Sequence, residues 1–220
     1  MPSPPPLREK LQLMDPERMR RTLARMAAEI LERHPDLEGT VLVGVRSRGV
    51  PLARRLAREI GSVAGSEPPV GALDITLYRD DFTTLASQPV TKGTQIPFSI
   101  DGRTVILVDD VLFTGRTVRA ALDELIDFGR PARIELAVLV DRGHRELPVR
   151  ADYVGQALGT TREEIVQVLL TDQDGRDAVM LLERGRRAST PETPRKRPPR
   201  TAPGSPRAGP NQRAGRKGKR

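Results

Sequence analysis

The apolar residues of this chain follow two spacings, one typical of helices and one typical of buried strands. Asp15 can cap a helix that begins at Pro16, and apolar side chains then recur every three or four positions until Pro35. The run 41–45 (V-L-V-G-V) predicts a buried strand, and the apolar positions within 52–60 predict an amphipathic helix after it. The chain therefore opens with a helix, a strand and a second helix.

This alternation continues as far as residue 184. A helix is predicted over 117–128, where Gly129 and Pro131 end it. Strands are predicted at 72–78, 104–108 and 133–140, with shorter ones at 166–170 and 178–182. Apolar strands separated by amphipathic helices are typical of a mainly parallel sheet flanked by helices. The sequence therefore predicts an α/β fold, in which ligands bind at the carboxyl ends of the strands.

Charge divides the chain into parts. Residues 185–220 hold 12 of the 37 basic residues and one of the 29 acidic residues, so this tail carries +11 and the rest of the chain −3. The tail is rich in Pro, Arg and Gly and poor in apolar residues, so we expect disorder there and in residues 1–14, with one domain over 15–184. The tail serves either as a solubilising extension or as a nonspecific attractor of phosphate backbones. The sequence leaves both open.

Several classes of protein are excluded by composition. The chain has no cysteine, which rules out disulfides, thiol nucleophiles and thiolate metal sites. Its apolar runs are far shorter than the roughly 20 residues of a membrane-spanning helix, and its first ten residues do not form a secretory signal. We therefore expect a cytoplasmic protein without a membrane partner. With only four Phe, two Tyr and no Trp, an extended base-stacking surface is not expected either.

The segment between the strand 104–108 and the next helix carries the clearest chemistry. Thr114 and Thr117 supply hydroxyl groups, and Gly115 lets the backbone approach a ligand closely. The start of the helix adds unpaired N–H groups at the positive end of the helix dipole. These features together predict a phosphate-binding loop.

Two carboxylates precede this loop. Asp109 and Asp110 would repel a phosphate, so they favour a different group, either the hydroxyls of a sugar or a hydrated Mg²⁺. A sugar phosphate satisfies both parts of the segment. The alternative is that the two residues only cap a helix. A second glycine-containing turn, G-V-R-S-R-G at 44–49, is not a P-loop, because Val50 stands where the lysine is required.

Three segments resemble known families. V-I-L-V-D-D-V-L-F-T-G-R-T (105–117) resembles the phosphoribosyl diphosphate (PRPP) motif of type I phosphoribosyltransferases. D-I-T-L-Y-R-D-D (74–81) and L-V-D-R-G-H-R-E-L-P-V-R-A-D-Y (139–153) resemble the PyrR family of pyrimidine-operon regulators, which are also uracil phosphoribosyltransferases. The resemblance covers about 15–184. It implies the type I phosphoribosyltransferase fold with a flexible hood loop at 79–102, and conversion of uracil and PRPP to UMP and diphosphate.

The resemblance also implies a set of site residues. PRPP or nucleotide would be held by Ser47, Arg48, Arg79, Asp109, Asp110, Val111, Leu112, Phe113, Thr114, Gly115, Arg116 and Thr117. Within this set, Asp109 and Asp110 would hold the ribose, 114–117 the 5-phosphate, and Ser47 and Arg48 the diphosphate, with Arg46 as a helper. Asp109, Asp110 and Arg48 would be catalytic, and Arg79 would reach the diphosphate when the hood loop closes. Uracil would lie against Val140, Arg142 and Val166. Mg²⁺ would arrive with PRPP rather than through direct protein ligands.

A regulatory role follows from the same resemblance. The family binds pyrimidine-operon messenger RNA in response to UMP or UTP, through a basic face of a homodimer or a higher even oligomer. The candidate residues here are Arg20, Arg21, Arg25, Arg33, Arg145 and Arg150. Ala24, Ala28 and Gln156 depart from residues common in the family, so two alternatives stay open: a phosphoribosyltransferase without specific RNA binding, and an RNA regulator with vestigial catalysis. We interpret His144 as a solvent-facing residue rather than a catalyst.

Overall fold

The computed structural model describes residues 6–75 and 93–184, all within one compact unit, Met1–Gly185. Arg79, most of the hood loop, residues 1–5 and the basic tail lie outside the described residues, so the expectations about them stay predictions. The elements in chain order are β1 Leu7–Met14, α1 Pro16–Arg33, β2 Thr40–Val45, α2 Gly49–Ala64, β3 Val70–Leu73, β4 Thr104–Leu112, α3 Arg116–Phe128, β5 Arg133–Asp141, β6 Tyr153–Ala157, β7 Ile165–Leu169, α4 Thr171–Asp174 and β8 Ala178–Arg184.

The first helix forms as its sequence predicts. The Asp15 carboxylate accepts a hydrogen bond from the backbone N–H of Arg18 at 2.7 Å, and Pro16 occupies the first turn. The helix ends at His34, whose backbone N–H donates to the carbonyl of Ile30. Its buried face consists of Met19, Leu23, Met26, Ala27 and Ile30. This apolar stripe packs α1 against the core.

The main sheet has five parallel strands in the order β3-β2-β4-β5-β6. Alternate residues of β2 and β4 belong to separate core clusters, one shared with α1 and α2 and the other with α3. The predicted α/β fold with helices on both faces is therefore confirmed. The chain leaves β2 toward one edge of the sheet and leaves β4 toward the other, which makes the carboxyl ends of these neighbours a topological switch point.

Strand β4 is longer than the sequence predicts. It continues beyond 108 to Leu112, because Val111 and Leu112 pair with Val140 and Asp141 of β5. Asp109 and Asp110 therefore belong to a strand end and not to a loop. Strand β3 ends at Leu73, short of the predicted 72–78, and residues 76–78 lie outside the described part of the chain.

A second, antiparallel sheet consists of β1, β8 and β7. The strands predicted at 166–170 and 178–182 are confirmed, but they lie in this small sheet. Residues 7–14, which we expected to be disordered, form its edge strand β1. That expectation is wrong for these residues. Their surface is exposed and mostly polar, but pairing with β8 holds them in a strand. Strand β6 also has no counterpart in the sequence-based expectation.

Candidate functional site

The turn after β2 approaches the end of β4 closely, and two glycines permit it. A Cβ at Gly49 would lie 2.3 Å from the carbonyl oxygen of Val108, and one at Gly44 would lie 2.5 Å from the carbonyl oxygen of Gly49. Both obstacles are backbone atoms, which cannot rotate away as a side chain can. The 46–48 turn is therefore held against the strand residue directly before Asp109. Its Arg46–Ser47 peptide bond is cis.

The two carboxylates of β4 are placed differently. Asp109 is buried and its Oδ1 accepts a hydrogen bond from the backbone N–H of Asp110 at 2.9 Å. Asp110 is half-buried. Asp110 lines the same cavity as Arg48 of the turn after β2. Asp110 is thus the carboxylate on the side of the 46–48 turn.

A cavity of about 230 Å³ lies between the main sheet and the small sheet. It is lined by Leu7, Arg48, Asp110, Ile165, Val166, Gln167, Val168 and Leu182. The structure thus brings together three residues that the sequence places far apart: Arg48, Asp110 and Val166. A largely apolar wall with a few convergent polar groups is the usual character of a small-ligand site. The arrangement suits a flat heterocycle beside a charged, phosphorylated group.

The predicted phosphate-binding loop joins β4 to α3. Gly115 has φ of +93° and is the N-cap of α3, where it contributes no capping side chain. The hydroxyl of Thr114 accepts a weak hydrogen bond from the backbone N–H of Arg116 at 3.4 Å. The start of α3 therefore combines N–H groups with the half-buried hydroxyl of Thr117, an arrangement that favours an anion. Leu112, by contrast, is buried in the core beneath the loop.

Residues 143–149 support this loop from behind. The backbone N–H groups of Glu146 and Leu147 donate to the carbonyl of Thr114 at 2.9 and 3.2 Å. A Cβ added at Gly115 would be in ordinary contact, at 3.4 Å, with the side chains of Leu147 and Val149, so this segment lies directly against the loop. The Nε of Arg116 donates to Glu146 at 3.0 Å.

Arg145, which we expected to contact RNA, is turned into the fold. Its Nη1 donates to the carbonyl oxygens of Phe113 at 2.7 Å, Gly143 at 3.0 Å and Leu112 at 3.3 Å. Its Nε donates to the carbonyl of Val149 at 3.2 Å, and its Nη2 pairs with Asp141. The structure thus gives Arg145 a different role from the expected one: it joins the backbone just before the phosphate-binding loop to the supporting segment 143–149.

Arg142 and Val140 do not line this cavity, and their contact with uracil stays a prediction. Arg142 is buried, its guanidinium stacks 4.0 Å from the ring centroid of Phe113, and it donates to the carbonyl of Thr161 at 2.8 Å. Burial lowers the pKa of the Arg142 guanidinium, with neighbouring Glu164 acting in the opposite direction. Val140 lies inside β5, paired with strands on both sides. Of the three expected uracil contacts, only Val166 lines the cavity.

His144 is not the solvent-facing residue we expected. It is half-buried, and its Nε2 lies 2.6 Å from the carbonyl oxygen of Thr160. Its ring meets the ring of Phe113 edge to face, with centroids 6.0 Å apart. It has a packing and hydrogen-bonding role next to the phosphate-binding loop.

The remaining arginines of the expected RNA face differ in how they are used. Arg25 donates to the carbonyls of Val154 and Gly155 at 3.0 and 2.6 Å, which fastens α1 to β6. Arg33 lies 4.7 Å from the centroid of the Tyr153 ring. Both make these contacts while staying exposed. Arg20, Arg21 and Arg150 are exposed as well.

A buried polar cluster lies at the other end of β5, away from this site. Glu135 accepts hydrogen bonds from the Tyr153 hydroxyl at 2.6 Å and from Arg133 at 3.2 Å, and its Oε2 lies 2.8 Å from Nε2 of His34. Burial alone would raise the pKa of Glu135, but the hydrogen bonds from Tyr153, His34 and Arg133 outweigh it and lower that pKa. Burial and this carboxylate raise the pKa of Tyr153.

Two further residues touch the expected diphosphate turn and were not predicted. Asp174 accepts from Nη2 of Arg48 at 3.0 and 3.2 Å, and Gln173 donates to the carbonyl of Ser47 at 3.1 Å. In the sequence, T-D-Q-D-G predicts only a turn.

The described residues show neither a metal-binding cluster nor a membrane-spanning helix. Over 6–75 and 93–184, no cluster of three or more His, Asp or Glu side chains is placed to hold a metal ion. In the same part of the chain, no helix has the length and hydropathy to cross a bilayer.

Comparison with known proteins gives a consistent result. A family model described as a phosphoribosyl transferase domain matches residues 11–172. The chain is 58% identical over 176 residues to "Bifunctional protein PyrR" of Pelotomaculum thermopropionicum, covering 80% of this chain and 97% of that protein. It is 57% identical over 178 residues to the protein of that name from Thermus thermophilus, covering 81% and 98%. The corresponding figures for Clostridioides difficile are 53% over 175 residues, covering 80% and 99%.

Solved structures agree at the level of the fold. The hypoxanthine phosphoribosyltransferase of Trypanosoma cruzi matches with a TM-score of 0.60 at 19% identity, covering 80% of this chain and 98% of that one. A hypoxanthine-guanine phosphoribosyltransferase of Bacillus anthracis matches with a TM-score of 0.57 at 19% identity, covering 80% and 99%. The predicted type I phosphoribosyltransferase fold is confirmed.

Proposed function

The chain belongs to the phosphoribosyltransferase domain family and, within it, to the PyrR family, and from this premise we propose that it is a regulator of pyrimidine operons with uracil phosphoribosyltransferase activity. Its reaction joins uracil to the ribose of PRPP, giving UMP and diphosphate. The observation that carries the proposal is the cavity in which Arg48 and Asp110 face the apolar strand β7. It lies at the switch point of the sheet, where such folds bind their ligands.

The chemistry is a displacement at the anomeric carbon of the ribose. A bond forms between N1 of uracil and the anomeric carbon while the bond from that carbon to the diphosphate oxygen breaks, with positive charge developing on the sugar. N1 gives up its proton to water or to the departing diphosphate. Asp110, assisted by the buried Asp109, holds the ribose hydroxyls and supports this charge. Arg48, with Ser47 and Arg46, neutralises the departing diphosphate. No covalent nucleophile is required.

The phosphate-binding loop anchors the substrate at its other end. Thr114, Gly115, Arg116 and Thr117 hold the 5-phosphate at the start of α3, where hydroxyl and N–H groups favour an anion. Fixing that phosphate sets the distance from the anomeric carbon to the 46–48 turn, so positioning supplies part of the catalysis. Uracil lies in the cavity against Val166.

Mg²⁺ fits the donor set of this site. Carboxylate oxygens suit this cation, which keeps much of its water shell and binds through one or two carboxylates together with substrate phosphates. When bound with PRPP, it offsets negative charge on the diphosphate. Asp109 and Asp110 are the residues that would hold its water shell.

Regulation through RNA is the second part of the proposal. Arg20, Arg21, Arg25, Arg33 and Arg150 are exposed and can contact phosphates or bases, whereas Arg145 is used within the fold. We propose that a homodimer or higher even oligomer presents these exposed arginines to pyrimidine-operon messenger RNA when UMP or UTP is bound. Such a protein would act in the cytoplasm, where its RNA and nucleotides are.

Two assays test the two parts separately. Formation of UMP from uracil and PRPP with Mg²⁺ tests the enzyme, and failure to bind either PRPP or UMP in calorimetry would remove the activity. Titration of pyrimidine-operon leader RNA with and without UMP, at two salt concentrations, tests the regulator. Binding that does not respond to UMP and falls steeply with salt would leave a phosphoribosyltransferase with only nonspecific RNA affinity.

A further inference from the structure

The turn between β7 and β8 meets the 46–48 turn directly. The carboxylate of Asp174 accepts two hydrogen bonds from Nη2 of Arg48, at 3.0 and 3.2 Å. Beside it, the amide of Gln173 donates to the carbonyl oxygen of Ser47 at 3.1 Å. One turn of the small sheet thus grips both the side chain and the backbone of the turn assigned to diphosphate.

The position of Asp174 is also fixed by contacts with residues other than Arg48. Its Oδ2 accepts from the backbone N–H of Leu170 at 2.9 Å, and its own N–H donates to the carbonyl of Leu170 at 2.7 Å. Gly175, with φ of +75°, closes the turn behind it. Only 22% of the Asp174 side chain is exposed. The carboxylate is therefore a rigid acceptor rather than a mobile surface charge.

The ion pair leaves much of the Arg48 guanidinium for another partner. Asp174 engages Nη2 only, and the buried Nε of Arg48 has no hydrogen-bond partner among the described residues. The same side chain lines the cavity that also contains Asp110. An arginine presents five N–H donors in a planar fork, so one carboxylate on one nitrogen can orient the group without using it up.

We infer that Asp174 is a positioning residue, which holds Arg48 in the orientation that receives the leaving diphosphate. The inference rests on the proposed function of the 46–48 turn. A long arginine side chain loses conformational freedom when it binds an anion, and a fixed carboxylate removes that freedom beforehand. A charge-assisted hydrogen bond also holds the side chain more firmly than a neutral one. Gln173 does the same for the backbone at Ser47.

A carboxylate close to the diphosphate site also repels that ligand, which is the opposite effect. Positioning and repulsion predict opposite changes when the charge is removed. The Asp174→Asn variant keeps the size of the side chain and an oxygen acceptor but loses the charge. Asp172→Asn is the matched control, since Asp172 lies in the same turn, is 62% exposed and pairs at 3.5 Å with Arg55 instead.

The experiment is calorimetry on the full chain with Mg²⁺, using diphosphate, PRPP and UMP as separate ligands. In Asp174→Asn, binding of diphosphate and PRPP should weaken about tenfold, the size of one charge-assisted contact. UMP, which carries no diphosphate, should bind within a factor of about two of the original chain. Asp172→Asn should bind all three ligands normally.

Each outcome separates the inference from the proposed function. If the unaltered chain binds neither PRPP nor UMP, the function itself fails. If it binds both, but Asp174→Asn binds diphosphate equally well or more tightly, the positioning role fails and the function stands. Equal weakening for UMP would indicate general damage to the fold and would also overturn the inference.

Discussion

Replacing Gly49 by alanine should disable the site without touching any proposed ligand contact. The new Cβ would lie 2.3 Å from the carbonyl oxygen of Val108, whereas an ordinary contact begins at 3.4 Å. The added Cβ is fixed to the backbone of α2, and the oxygen that it meets is a backbone atom of β4. The start of α2 and the 46–48 turn must therefore move away from β4 by roughly 1 Å. A displacement of this size can lower the rate by a factor of about 10². Overpacking of this kind destabilises a protein by about 1–3 kcal/mol.

The measurement combines thermal unfolding with UMP formation from uracil and PRPP. Gly159→Ala is the control, because a Cβ added at Gly159 would meet nothing within 4 Å. This control should be as stable and as active as the original chain. If Gly49→Ala keeps normal turnover and stability, the close approach of the 46–48 turn to β4 does not position the site.

Four further variants concern other parts of the molecule. Asp110→Asn should fold normally but form UMP about 10² times more slowly, and near-normal turnover would take Asp110 out of the chemistry. Arg145→Met should lower the free energy of unfolding by about 2–3 kcal/mol and weaken PRPP binding, because several carbonyls lose their donor. Arg150→Met should change stability by less than about 0.5 kcal/mol but weaken RNA binding; equal stability of the two variants in urea would contradict the inward role of Arg145. Because hydrogen bonds lower the pKa of Glu135 in the folded protein, its stabilising effect is present above its unfolded pKa of about 4.3 and is lost as the pH falls through the lower folded value. Glu135→Gln should therefore flatten the acid limb of the stability curve, and an unchanged limb would show that the cluster does not couple to folding.

The sequence predicts those elements whose burial is visible in a local pattern. The core of β4 at 104–108 and the helix α3 show it clearly, since continuous apolar residues and helical spacing each have a distinct period. Strand β1 does not: only Leu13 and Met14 of its eight residues are buried, and its order comes from pairing with β8 far along the chain. A local pattern carries no information about such a partner.

The site shows the same division. The proximity of Arg48 and Asp110 follows from the rule that ligands bind at the carboxyl ends of parallel strands, whereas Val166 lies in the antiparallel sheet and was expected only from the family resemblance. The roles of the arginines do not follow, because the sequence of a basic loop does not reveal which guanidinium meets carbonyl groups of its own fold. Arg145 lies in a basic loop, as an RNA-binding residue would, but its guanidinium donates hydrogen bonds to backbone carbonyls and stabilises the fold. Asp174 lay in an ordinary turn signal, and only the folded chain brings it to Arg48.

Because Leu7 pairs with Arg184, the start of β1 and the end of β8 lie side by side. Leu7 also lines the cavity, so trimming the chain to residue 15 would remove a wall of the binding site. An expression tag joined immediately before Leu7 would lie close to this cavity. The adjacency also suits circular permutation, in which a short linker joins residue 184 to residue 7 and new ends are made in a surface connection.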